Sequence, residues 1–169
     1  MQKQAAEKQF EKHIREHESL LYKICRIYAY TDVDRQDLFQ EIVIQLWKSY
    51  SRFKGNARFS TWLYRVAINT AISGLRRKKS FITYETEDSA KGISDESLAA
   101  GQEEQLQQLY KAIERLNEVE KAIVMLYMED RSYNEMEDIL GISEGNLRVK
   151  MNRIKDKLRK LTKTIDHGT

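Results

Sequence analysis

No proline interrupts this chain of 169 residues, where average usage of about 5 % predicts roughly eight. Proline breaks helices more strongly than any other residue, so its absence favours long uninterrupted helices. It also excludes a Pro-rich linker and a collagen-like repeat. Apolar residues recur every three or four positions through most of the chain, and no β-hairpin dipeptide lies between alternating strands. The expected fold is all-α: two small helical bundles joined by a flexible acidic linker, the second containing a helix-turn-helix. At 41 % hydrophobic residues the chain can build a core, which excludes global disorder. No apolar run approaches the ~20 residues that span a bilayer. The polar N-terminus is not a secretory signal. A lone Cys25 excludes an internal disulfide and a Cys-based zinc knuckle, and its place beside an apolar stripe makes it a small core residue. A cytoplasmic protein is expected, with no direct membrane insertion.

The periodicity places the elements. Phe10, Ile14, His17, Leu21, Ile24 and Tyr28 form one stripe of a helix from about Phe10 to Tyr28. Asp34 is read as the N-cap of a second helix reaching Tyr50, with Leu38, Phe39, Ile42, Val43, Leu46, Trp47 and Tyr50 on a broad apolar face. A third helix, capped by Ser60 or Thr61, runs from Trp62 to about Lys79 with Leu63, Val66, Ala67, Thr70, Ala71 and Leu75 inward. Residues 81–103 lose all periodicity and read as the linker. Stripes then return from Glu104, with Asn117 and Ser132 starting the next helices. Leu147, Met151, Ile154, Leu158 and Leu161 line a long last one, from Glu144 to about Lys163. The domains are therefore 1–80, 81–103 (linker) and 104–169.

The net charge of +3 conceals a segregation. Residues 1–80 carry 16 basic and 8 acidic side chains, a net of +8, whereas 81–104 carry 1 and 7, a net of −6. Residues 105–140 carry 4 and 8, a net of −4, and 141–169 carry 8 and 3, a net of +5. Two basic blocks around an acidic centre suit a nucleic-acid binder, although charge runs also arise as solvated faces.

Ser132 to Lys160 reads as a helix-turn-helix: a short helix, a turn at Gly141-Ile142-Ser143, and an amphipathic second helix. Gly141 sits where a left-handed residue ends the first helix, and Ser143 caps the second. Arg148, Lys150, Arg153, Lys155, Lys157, Arg159 and Lys160 lie off the apolar stripe, as a major-groove helix requires. In the first domain Trp62, Arg65, Asn69, Ser73 and Arg76 share a helical face. Arg76-Arg77-Lys78-Lys79 then ends that helix, where cations complement the dipole or bind phosphates. The preceding loop mixes Phe53 and Phe59 with Arg52, Lys54 and Arg58, a pattern that suits unstacked bases. The same two rings could equally plug the domain core.

Four stretches together resemble the extracytoplasmic-function (ECF) sigma factors of the sigma-70 family. Asp37-Leu38-Phe39-Gln40-Glu41-Ile42-Val43 with Leu46-Trp47 is similar to the family's core-polymerase-binding helix. Phe53-x-Gly55-x-x-x-Phe59-Ser60-Thr61-Trp62-Leu63 resembles its promoter-melting segment. Tyr64-Arg65-Val66-Ala67-Ile68-Asn69 with Arg76–Lys79 resembles its −10-element helix. Ser132-Tyr133-x-Glu135-Met136, Leu140-Gly141-Ile142-Ser143 and Leu147-Arg148 resemble its −35-reading helix-turn-helix.

The resemblance implies a promoter-specificity factor that binds core RNA polymerase and directs DNA-templated transcription initiation. Asp37, Gln40, Glu41, Val43, Ile44 and Trp47 would dock on core polymerase, whose clamp coiled coil of the largest subunit and flap of the second are the implied partners. Phe53, Phe59, Ser60, Thr61, Trp62, Arg65, Asn69, Arg76 and Arg77 would meet the −10 element, with Asn69 recognising a flipped base. Ser143, Asn146, Arg148, Lys150 and Arg153 would meet the −35 element. An anti-sigma factor is a further implied partner. Two positions depart from the family pattern. Glu137 replaces a small residue, implying a shifted helix angle or a carboxylate curled out to a nearby cation. Asn146 replaces a common threonine.

Two other classes compete. A free-standing helix-turn-helix regulator binding operator DNA would need neither the Asp37–Trp47 helix nor the Phe53–Leu63 loop. An enzyme would need converging carboxylates, a Gly-rich phosphate loop or a nucleophile elbow, and none is evident. His13 and His17 lie four apart, but no third metal ligand accompanies them. No catalytic residue, metal, cofactor or small-molecule substrate is expected.

Overall fold

The computed structural model describes residues 1–53, 55, 58–82 and 102–166, and for 76–82 and 164–166 the backbone path alone. The described residues form eight helices and no strand: α1 (Gln2–Glu16), α2 (Glu18–Tyr28), α3 (Asp32–Tyr50), α4 (Phe59–Ile82), α5 (Gln102–Glu114), α6 (Glu118–Met128), α7 (Tyr133–Leu140) and α8 (Glu144–Asp166). The chain divides into two compact units, Met1–Ile93 and Ser94–Thr169. The expected linker at 81–103 lies outside the described residues except at its ends, which are helical.

In the first unit α2, α3 and α4 pack against one another, and α1 lies on α2 and α3. Leu21, Ile24, Tyr28, Ile42, Leu46, Leu63, Tyr64 and Ile68 are buried at its centre. Each large aliphatic side chain contributes ~1.5–3 kcal/mol by leaving water. Tyr64 and Ile68 extend the α4 core beyond its expected stripe. Cys25 is buried as expected, and burial pushes its thiol up from 9.0 to about 11, with the Arg35 guanidinium pulling slightly back.

Three local readings change. The first expected helix is two helices, broken at His17 (φ −111°, ψ 13°). The His17 amide is shared between the His13 and Ile14 carbonyls, 3.2 Å each, and its ring Nδ1–H donates to the His13 carbonyl at 2.8 Å. A histidine ring that satisfies a terminal carbonyl lets the helix end without glycine or proline. Because the Leu21 amide still reaches the His17 carbonyl at 3.1 Å, the apolar register survives the break. Secondly, Thr31 rather than Asp34 caps α3: its hydroxyl accepts from the Asp34 amide at 3.1 Å, leaving Asp34 in the first turn. Thirdly, α4 begins at Phe59, three residues before the expected Trp62.

In the second unit α8 packs against α5, α6 and α7. Ile113, Leu116, Ile123, Leu126, Met136, Ile139, Leu147, Met151 and Ile154 are buried there. The helix starts are chemically marked. Asn117 and Glu120 exchange hydrogen bonds of 2.8 and 3.1 Å in a capping box. The Ser132 hydroxyl accepts from the Glu135 amide at 3.1 Å. Gly141 (φ +71°) ends α7 in the left-handed conformation, its amide donating to the Glu137 carbonyl at 2.8 Å.

Candidate nucleic-acid and partner interfaces

The apolar face of α3 is broader than its core requires. Only Ile42 and Leu46 are buried there, while Ile44 and Trp47 stay 46 % and 37 % exposed. Asp37 and Gln40 are exposed, and Glu41 and Val43 half-buried. Spacings of three and four put Asp37, Gln40, Glu41, Ile44 and Trp47 on one face. Trp47 is held in place by Phe10, 5.0 Å between centroids, and by Tyr50 at 6.2 Å. Beside this face is a groove of about 360 Å³, rimmed by Asp34, Asp37 and Glu41 and floored by Tyr28, Ala29, Leu38, Ala71 and Leu75. Acid over an apolar floor suits a cationic side chain with an aliphatic stem.

The loop before α4 is built around rings. Phe53 and Phe59 meet edge to face at 5.6 Å, and both pack on Trp62, at 5.2 and 5.3 Å. His13 stacks on Phe59 at 4.4 Å and His17 lies 5.2 Å from it. Phe53, Phe59, Ser60, Thr61 and Trp62 are all half-buried, so the two phenylalanines partly anchor the loop and partly face outward. The two histidines hold Phe59 between α1 and the loop. Among the described residues no three His, Cys, Asp or Glu side chains are grouped to hold a metal ion.

Further along α4, Arg65, Asn69 and Ser73 are exposed. Asn69 lines a cleft of about 370 Å³ with Gln45, Val66, Thr70 and Ser73. Amide and hydroxyl groups in one cleft can donate to and accept from a base edge. Gln45 was not legible as part of this site. It comes from α3, one turn beyond Glu41, whose carboxylate accepts from its Nε2 at 3.0 Å. Its position on the polymerase-like helix hid its approach to Asn69. The Arg76 and Arg77 side chains lie outside the described ones.

On α8 the fold sorts the seven cations. Lys155 sits over the Tyr127 ring at 4.8 Å, Lys157 pairs with Glu120 at 3.1 Å, and Arg159 with Asp156 at 3.2 Å. Arg148 lies over the Tyr133 ring at 4.5 Å, with Glu144 3.8 Å away, on the flank facing α7. Asn146, Lys150 and Arg153 point outward, exposed. The Ser143 hydroxyl accepts from the Asn146 amide at 3.4 Å. Glu137 has the Glu144 amide where a cation partner was expected: its carboxylate accepts from that N–H at 3.2 Å, so α7 caps the start of α8.

Comparison with known proteins matches the two units separately. A family model described as Sigma-70 region 2 matches residues 13–81, and one described as Sigma-70, region 4 matches 106–158. The chain is 30 % identical over 135 residues to the ECF RNA polymerase sigma-E factor of Escherichia coli K12, covering 73 % of this chain and 71 % of that one. It is 26 % identical over 160 residues to the ECF RNA polymerase sigma factor SigM of Mycobacterium tuberculosis H37Rv, covering 94 % and 80 %. In fold it is similar to the sigma factor RpoE of Bartonella quintana, solved with the anti-sigma factor NepR: TM-score 0.73, 19 % identity, 92 % and 98 % of the two chains. CnrH, solved with the cytosolic domain of CnrY, gives a TM-score of 0.67 at 19 % identity, over 98 % and 95 %.

Proposed function

This chain belongs to the ECF RNA polymerase sigma factors of the sigma-70 family, and from that membership we propose how its surfaces divide the work. It binds core RNA polymerase and directs promoter-specific transcription initiation, reading −10 and −35 elements. The exposed face of α3, Asp37, Gln40, Glu41, Ile44 and Trp47 with Val43 beside them, docks on the clamp coiled coil. The second unit meets the flap. The ring-built loop and the Arg65–Asn69 face of α4 take the melted −10 strand. Rings stack on unpaired bases, and the Asn69 cleft holds one extruded base. Arg76 and Arg77 follow the backbone phosphates. The start of α8, from Ser143 through Asn146, Lys150 and Arg153, enters the −35 major groove, with Arg148 at its flank. The acidic stretch 81–103 passes through polymerase channels shaped for a polyanion.

The observation that carries this reading is the surplus apolar face of α3. A free-standing operator-binding regulator has no use for an exposed isoleucine and tryptophan beside a row of acids, in a unit apart from its helix-turn-helix. Contiguous exposed apolar surface marks a protein partner. The factor supplies no reaction chemistry of its own and works in the cytoplasm, where polymerase and chromosome are. Among the described residues no helix is long and apolar enough to cross a membrane. The fold neighbour solved with an anti-sigma factor supports regulation of this chain by such a partner. Run-off transcription with core polymerase tests the reading. Added protein produces discrete transcripts from a cognate promoter. Tight operator binding without polymerase, combined with silence in that assay, would overturn it.

A further inference from the structure

The outward face of α8 is centred on an apolar residue. Leu147, Met151 and Ile154 point into the unit, and at 100° per residue Val149 lies about 200° round from Leu147. It is 49 % exposed. One turn before it are Gly145 and Asn146, and one turn after it are Asn152 and Arg153, all exposed. A lone exposed valine is ordinary on a protein surface. This one stands at the middle of the face that carries Asn146 and Arg153, where a solvated helix would carry a polar side chain.

Gly145 is the second anomaly. It is helical, so no left-handed backbone requires it, and a Cβ there would meet nothing within 4 Å. Glycine weakens a helix relative to alanine, and nothing inside the protein compensates. The missing side chain makes sense only if something outside approaches the helix backbone closely beside Val149.

Resting on the assignment of α8 to the −35 groove, we propose that Val149 reads the 5-methyl group of a thymine in the −35 element, and that Gly145 clears the way for that contact. The thymine methyl is the apolar feature of the major-groove floor, and every other edge there presents donors or acceptors. Lys150 and Arg153, which make no ion pair among the described residues, flank the strip and supply the phosphate complement. Val149 thus discriminates thymine from cytosine at one position, and Asn146 at i−3 reads a neighbouring base edge.

The test uses holoenzyme assembled from core polymerase and the full chain. Promoters are selected by transcription from a library randomised in both elements, and start sites align the −35 sequence. Each −35 thymine is then replaced by deoxyuracil, which removes only the methyl group, and holoenzyme affinity is measured by competition. One replacement weakens binding about fourfold, equal to the ~0.8 kcal/mol of one buried methyl group at 1.4 kcal/mol per factor of ten. Val149→Ala weakens binding to the thymine promoter by a similar factor and no longer distinguishes deoxyuracil from thymine. Gly145→Ala folds at least as stably and loses binding more than tenfold. If no −35 thymine is sensitive, or if Val149→Ala keeps the sensitivity, the thymine contact is wrong. Unchanged affinity in Gly145→Ala removes the clearance role. Arg153→Ala separates these failures from failure of the assignment itself. Its loss of affinity at every upstream sequence upholds α8 in the groove, and no effect of Arg153→Ala, Val149→Ala or deoxyuracil overturns both.

Discussion

Replacing Glu137 by alanine removes the acceptor that α7 extends to the first amide of α8, the 3.2 Å bond from the Glu144 N–H. A helix N-terminus has four amides without intrahelical partners. Here Ser143 serves the Asn146 amide and Glu137 serves the Glu144 amide. Loss of one cap costs ~1 kcal/mol, and loss of a carboxylate at the positive end of the dipole a further ~0.3–1 kcal/mol. The better helix propensity of alanine returns a few tenths of a kcal/mol. The net is about 1 kcal/mol, which lowers Tm by ~4–8 °C for a domain of 60–100 residues. Hydrogen exchange gives the residue-level reading: the Glu144 amide exchanges about fivefold faster, in line with ~1 kcal/mol. Glu137→Gln keeps an acceptor without the charge and recovers about half of both effects. Since Gly145 and Asn146 follow directly, Glu137→Ala also weakens −35 binding by the holoenzyme, with core binding unchanged. A Tm within 1 °C of wild type together with an unchanged Glu144 exchange rate would refute the capping argument.

Ile44→Asp puts a charge on the exposed face of α3 without opening the core, so stability stays within ~0.5 kcal/mol while capture by core polymerase in a pull-down falls at least tenfold. Retained capture removes that face from the interface. Asn69→Ala abolishes discrimination at the −10 element in run-off transcription and leaves core capture intact. Loss of capture instead would count against its assigned role. Cys25, its thiol held near pKa 11 by burial, reacts with Ellman's reagent at pH 8 only as fast as the protein unfolds, because the thiolate is the nucleophile. Its raised folded pKa makes a contribution to stability that is complete below pH 9 and is lost as pH rises through 11. The stability difference between wild type and Cys25→Ala therefore narrows across that window, as urea midpoints measure.

Much of this protein was written along the chain. Without proline, and with apolar residues every three or four positions, the only economical structure was helical. Asn117, Ser132 and Gly141 marked helix ends because capping is local chemistry: a side chain meets an amide three residues away, and glycine alone turns left-handed cheaply. The family's motifs identified both domains for the same reason, since each is a short contiguous run. What the chain could not announce depended on meetings between distant residues. The break at His17 preserves the helical register, so its periodicity looked continuous. Trp47 lay on one broad apolar face with Ile42 and Leu46, and only the packing of the helices separated the buried pair from the exposed ring. Seven cations on α8 looked alike until Glu120, Tyr127 and Tyr133 engaged three of them. Glu137 looked like a misfit until the turn at Gly141 brought the start of α8 within 3.2 Å of its carboxylate. Periodicity reports which side of a helix is apolar. Only the packing of helices far apart in sequence decides how much of that side is covered, and therefore what remains for polymerase and DNA.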